Sequence, residues 1–138
     1  MMGEYQGTMH EYPKCILESP FRAKSPALQL RNIDFARNVC RSLVKEGFNP
    51  IASHLFYTQF LDDANERERF LGISLGFQWG ALPGVSHVIF ALRPKERMSK
   101  GMRLGMAQWK HCGKIILVRQ YLQTGKHQMD LPIEEIDA

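Results

Sequence analysis

Short apolar runs alternate along this chain with stretches of helical period, and that alternation most limits what it can fold into. "KCILESP" (14–20), "FNPIAS" (48–53), "SHVIFAL" (86–92) and "KIILV" (114–118) read as strands. After the loop "AKSPALQLRN", Ile33, Ala36, Cys40 and Leu43 recur at helical spacing to give a first helix its core face, and Gly47 supplies a stop. "ERERFLGISLGFQWGAL" (66–82) is a second helix, opened by acidic residues that suit the positive end of the helix dipole. "MSKGMRLGMAQW" (98–109) is a third, with Ser99 as its N-cap. Strands alternating with helices predict a parallel sheet covered on both faces, and right-handed crossovers leave few topologies. The expected fold is α/β, a three-layer sandwich with a four- to five-stranded mainly parallel sheet, flavodoxin-like or Rossmann-like.

At 138 residues the chain has room for one ordinary domain. Residues 1–12 are polar and aperiodic and read as a flexible arm, 13–120 as the domain, and 121–138 as a hairpin or extended tail. Leu131, Ile133 and Ile136 give that tail apolar residues with which to dock. No apolar run approaches the roughly 20 residues of a membrane span, and no secretory signal is visible, so a cytoplasmic location is expected. Cys15, Cys40 and Cys112 are widely spaced and are expected to be reduced and mostly buried. No His, Cys, Asp and Glu set has metal-ligand spacing, so neither metal nor cofactor is expected. A net charge of +4 favours phosphate-bearing ligands, but the scattered Lys and Arg form no stripe for specific nucleic-acid binding.

Gly72, Gly76 and Gly80 lie on one side of the second helix, where each glycine costs on the order of 1 kcal/mol relative to alanine. Such a groove lets another backbone approach closely. It serves either packing within the chain or a homo-oligomer contact through that face.

In an open parallel sheet, ligands bind beyond the carboxyl ends of the strands, near the point where strand order reverses. The chain places Glu18, Ser19, Pro20, Phe21 and Arg22 after the first strand. It places Ser53, His54, Tyr57, Gln59, Asp62 and Asp63 after the second. After the third come Arg93, Lys95, Arg97 and Ser99. A helix start with free N–H groups makes an anion site. Ser99 and Gly101 open such a start, and Lys100, Arg93, Arg97 and Arg103 surround it with positive charge.

The order of "LESPFR", "ASHLFYTQFLDD" and "MSKGMRLGMAQW" resembles the nucleoside 2-deoxyribosyltransferase-like superfamily, and most of all a small branch of it found in phages and bacteria. The match spans roughly residues 13 to 120, and the order of the motifs is more specific than any one of them. The resemblance implies a nucleoside or nucleoside 5′-monophosphate as ligand, with cleavage or exchange of its N-glycosidic bond. It further implies that Ser19, Pro20, Phe21 and Arg22 line the base and sugar pocket, with Asp63 nearby. Ser99 and the backbone at Gly101 and Met102 would hold a phosphate, and Tyr57 or Phe21 would stack on the base.

The superfamily's chemistry uses a glutamate six positions after the phosphate-binding serine; here that position is Gly105. If the chain is an enzyme, another carboxylate must serve. The candidates are Asp62, acting with His54 as an acid/base pair, and Glu18. Each has a plainer reading. Asp63 or Asn65 caps the second helix, Glu18 pairs with Arg22 or another basic group, and His54 pins its own loop. Two functions follow: an N-glycosidase or deoxyribosyltransferase, or a catalytically silent protein that sequesters or senses a nucleotide.

Overall fold

The strands form because apolar side chains on both of their faces find helices to pack against. In the computed structural model, which describes residues 11–133, five strands make one sheet: β1 (Lys14–Glu18), β2 (Asn49–Ile51), β3 (Val85–Leu92), β4 (Ile115–Tyr121) and β5 (His127–Leu131). Their order is β2-β1-β3-β4-β5. The first four are parallel, and β5 runs antiparallel to β4. The helices are α1 (Pro26–Glu46), α2 (Ser53–Phe56), α3 (Glu66–Gly80) and α4 (Lys100–His111). The chain is therefore α/β with a mostly parallel sheet, as its alternation predicts.

Cys15, Leu17, Ile89 and Ala91 point to one face of the sheet, where they pack with Phe35, Ala36, Val39 and Leu43 of α1. Ile16, Val88, Phe90 and Leu92 point to the other, against Met102, Met106 and Trp109 of α4. Burying a large side chain in this way stabilises the fold by about 1.5–3 kcal/mol. The first helix starts earlier than expected, because most of the "AKSPALQLRN" loop is helical: Ser25 Oγ accepts from the Leu28 N–H at 3.2 Å, Pro26 fills the first turn, and Gly47 closes the helix at φ 106°. Ala36 and Leu43 of the expected core face are buried, together with Asn32, Phe35 and Val39. Ile33 and Cys40 flank them half-buried, because the apolar stripe of α1 is wider than one period can fix.

The short strand β2 carries Pro50 at the sheet edge, where the lost donor costs least. The segment after it is not the irregular loop that its sequence suggests. It contains α2 and a 3₁₀ turn at Tyr57–Gln59. The tail is a hairpin: β4 and β5 turn at Gly125 (φ 89°), and the turn docks on α1 through Asn38 Nδ2, which donates to Gln123 O at 3.0 Å. Leu131 and Ile133 pack against the α4-side core, while Ile136 lies outside the described residues. So do residues 1–10 of the expected arm. Among the described residues, no helix is long and apolar enough to cross a membrane.

Two of the three glycines of α3 are held tightly inside the chain, while a Cβ on Gly72 would make only ordinary contacts with Leu61 and Tyr57. A Cβ on Gly76 would lie 2.5 Å from Ser53 Oγ, and one on Gly80 would strike Trp109 and come within 2.7 Å of Ile16 Cγ1. The glycine face thus seats α3 on α2 and on the sheet. It is not available for the expected contact between subunits.

Candidate functional site

Because β1 lies between β2 and β3, strand order reverses at β1–β3, with Glu18 in register with Phe90. The segments Ser19–Arg22 and Arg93–Ser99 leave these two strands at their carboxyl ends, the place where open α/β sheets bind switch-point ligands.

Glu18 ends β1. The residue as a whole is half-buried, but its carboxyl end is the enclosed part, and burial pushes its pKa up to about 7. The neighbouring Trp109 side chain opposes that shift without cancelling it. Arg22 is not its partner. Ser19 is buried and shares a 2.9 Å hydrogen bond with His54 Nε2, which joins the end of β1 to α2. Burial lowers the His54 pKa to about 4, so the ring is neutral near pH 7 and is not a general acid there. The Phe21 ring meets the His54 ring edge-on at 5.7 Å. Its carbonyl accepts from Asn32 Nδ2 at 3.1 Å.

His54, Tyr57, Asp63, Arg69 and Gly72 line a small cavity between α2 and α3. Asp63 sits between two arginines, 3.6 Å from Arg22 Nε and 3.7 Å from Arg69 Nε. It does not cap α3. Asn65 does, accepting from the Glu68 N–H at 3.1 Å. The expected pair of Asp62 and His54 does not form: Asp62 is exposed and turned into its own loop, where Oδ1 accepts from the Ala64 N–H at 3.0 Å. An aspartate two residues before a free N–H commonly makes this turn, and here that local bond holds the side chain.

At the start of α4, Ser99 is exposed and its Oγ accepts from the Met102 N–H at 3.1 Å. That amide is therefore committed to the cap, and the Met102 side chain is buried in the core. Gly101 is exposed, and a Cβ there would meet only Ser99 Oγ, at 3.9 Å. The fold makes no steric demand for glycine at this place, and the backbone stays open to an approaching group. A Cβ on Gly105 would meet nothing within 4 Å.

Arg93 is not a free cation. Its guanidinium donates to Glu96 (2.7 and 3.1 Å), to Gln123 Oε1 (2.9 Å) and to Asn32 Oδ1 (2.6 Å), and lies 4.7 Å above the Phe35 ring. It clamps the strand ends together. Sequence reasoning missed this role, and missed Trp109 as the partner of Glu18. Only the Arg93–Glu96 spacing carried a local signal.

The structure thus joins Ser19, Phe21, His54, Tyr57, Asp63 and Arg22 through neighbouring contacts at the ends of β1 and β2, while the Glu18 carboxyl has Trp109 of α4 as its neighbour. Ser99 and Gly101 stand at the end of β3, with Pro20 on the β1 side. Among the described residues, no cluster of His, Cys, Asp or Glu is arranged to hold a metal ion. Cys15 and Cys40 are free, with thiol pKa values raised by burial to about 12 and about 11, while Cys112 is exposed rather than buried.

Residues 13–119 match the model of a family described as a domain of unknown function, DUF7768. No curated protein matches the chain.

Proposed function

We propose a function for a chain that belongs to the DUF7768 family, a membership that brings no activity with it: it binds a nucleoside or nucleoside monophosphate across the ends of β1 and β3. The observation that supports the reading is the strand order, which sets the carboxyl end of β1 beside that of β3 with Glu18 in register with Phe90, together with the open backbone at Gly101. Strand order β2-β1-β3-β4-β5 is that of flavodoxin-like three-layer folds, which bind ligands at this place. The N–H groups at the start of α4 suit a phosphate, and Phe21 and Tyr57 offer flat faces to a base. The resemblance to nucleoside 2-deoxyribosyltransferases supports the same ligand class.

On this reading Glu18 is the residue to carry glycosidic chemistry. Its raised pKa leaves a proton on the carboxyl near neutrality, which suits an acid that protonates a departing base. His54 is the poorer candidate, because its depressed pKa leaves it neutral. Asp62 faces away. A second reading, a silent binder that sequesters or senses the nucleotide, is favoured by Gly105: the position where the resemblance puts the catalytic glutamate is empty space.

Titration calorimetry with nucleosides and nucleoside monophosphates tests the shared part. A monophosphate should bind more tightly than its nucleoside, and Ser99→Glu should remove that difference. Equal affinity for both, or none for either, overturns the proposal. Chromatography of the same mixtures separates the two readings. Free base that disappears with Glu18→Gln supports the enzyme, whereas unchanged ligand at saturation supports the binder.

A further inference from the structure

Phe21 offers a flat face to the base in the proposed site, yet the segment that carries it has no regular structure. Residues 19–25 belong to neither a strand nor a helix, so side-chain bonds decide where the ring lies. Ser19 is bonded to His54 and Arg22 lies beside Asp63, both contacts reaching residues that follow β2. A third hold comes from α1, where Asn32 Nδ2 donates to the Phe21 carbonyl at 3.1 Å. Asn32 is 8% exposed and lies on the buried face of α1 with Phe35, Ala36, Val39 and Leu43, where an apolar side chain would continue the core. A buried amide at such a place needs partners for both of its ends. It has them. Asn32 Oδ1 accepts from Arg93 Nη2 at 2.6 Å, and the orientation of the amide is unambiguous, because a guanidinium only donates and a carbonyl only accepts. Arg93 is in turn held by Glu96 and Gln123. The chain of bonds from Arg93 through Asn32 to Phe21 therefore ties the segment after β1 to the end of β3.

We propose that Asn32 is a positioning residue of the nucleotide site, a role that rests on the function proposed above. It does not touch the ligand; it fixes the Phe21 carbonyl, and with it the place of the ring on which a base would stack. The Phe21 ring leans edge-on against His54 at 5.7 Å, so a carbonyl freed from Asn32 lets the ring leave that neighbour and the base together. Arg93 alone does not explain the residue. Aspartate would pair with the guanidinium more strongly, whereas the amide presents one acceptor to the arginine and one donor to the carbonyl at once.

Asn32→Asp separates the two bonds of the amide. It still accepts from Arg93 but has no donor for the Phe21 carbonyl. Titration calorimetry of the full chain should show affinity for a nucleoside and for its monophosphate reduced alike, by roughly tenfold, the loss that one missing hydrogen bond brings. The preference for the monophosphate should survive, because the start of α4 is untouched. Trypsin gives a readout that needs no ligand: cleavage after Arg22 and Lys24, both exposed, should be several-fold faster in the folded variant. Circular dichroism checks that the variant is folded. Asn32→Ala, which removes both bonds and adds no charge, should show the same two effects at a lower melting temperature. Wild-type affinity in folded Asn32→Asp overturns the proposal even where cleavage is faster, because the bond then supports the loop alone. A wild type that binds neither ligand overturns the proposed function itself, and this role with it.

Discussion

Glu18 and His54 are displaced from ordinary titration by the same cause, burial, and pull stability in opposite directions with pH. The Glu18 pKa is raised from 4.5 to about 7 in the fold, so the folded state prefers the proton. Its contribution is present below about pH 4.5 and is lost as pH rises through about 7. The His54 pKa is lowered from 6.5 to about 4, so its contribution is present above 6.5 and is lost as pH falls through about 4. Each effect is on the order of 3 kcal/mol, and over the shared window they largely cancel in the wild type. Single variants should separate them. Glu18→Gln is expected to melt above the wild type at pH 8 and to lose that advantage by pH 4.5. His54→Gln, which keeps a polar partner for Ser19, should gain melting temperature relative to the wild type as pH falls from 6.5 to 4, because the opposing His54 contribution is gone. Parallel curves of melting temperature against pH for wild type and variant would mean that neither group is held as described.

At the scale of the element, the glycines of α3 and α4 have the same intrinsic cost but opposite packing. Alanine at Gly105 meets open space, so it should gain up to about 1 kcal/mol in helix propensity. Alanine at Gly80 makes the same local gain but drives a methyl group into Trp109 and Ile16, an overpacking that costs about 1–3 kcal/mol. Urea denaturation should move the two midpoints in opposite directions. A rise for Gly80→Ala would mean that α3 is not seated on the sheet through that glycine. These helices also mark how far the sequence could be read. The strands β1, β3 and β4 and the helices α3 and α4 were legible because their patterns are local: apolar runs, and a cap at Asn65 or Ser99. The helix α1 was legible from its apolar spacing and its stop at Gly47, whereas its first turns, opened by Ser25 and Pro26, read as a loop. The helix α2 was not, because four residues carry no period of their own. The α3 glycines announced a close approach without naming the partner. Glu18, Ser19, Phe21 and His54 were legible as residues at strand ends. Their partners Trp109 and Asn32 were not, because those contacts exist only after the sheet has assembled.

The whole molecule is closed at its strand ends by one side chain, and comparison with a second arginine shows what that closure is worth. Arg93 joins α1 through Asn32, its own loop through Glu96, and the β4–β5 turn through Gln123, which also donates to Arg31 O at 2.8 Å. Its side chain is 16% exposed, so the ion pair with Glu96 is poorly screened and its neighbours have little access to water in exchange. Lysine keeps the charge but lacks the planar fork, and it would leave Asn32 Oδ1 and Gln123 Oε1 without their donors. Arg93→Lys should therefore destabilise by about 2–4 kcal/mol and lower the melting temperature by roughly 6–12 °C in a chain of this size. Arg22 sits nearby with a side chain 52% exposed and a contact of 3.6 Å to Asp63. A pair of that kind contributes at most about 1 kcal/mol, so Arg22→Ala should leave melting almost unchanged. If ligand binding involves the β1 end of the crevice, Arg22→Ala weakens affinity in a protein of native stability, while Arg93→Lys weakens stability first. Calorimetric melting of the two variants side by side decides the matter, and equal losses would remove the clamp from the account of how the strand ends are held.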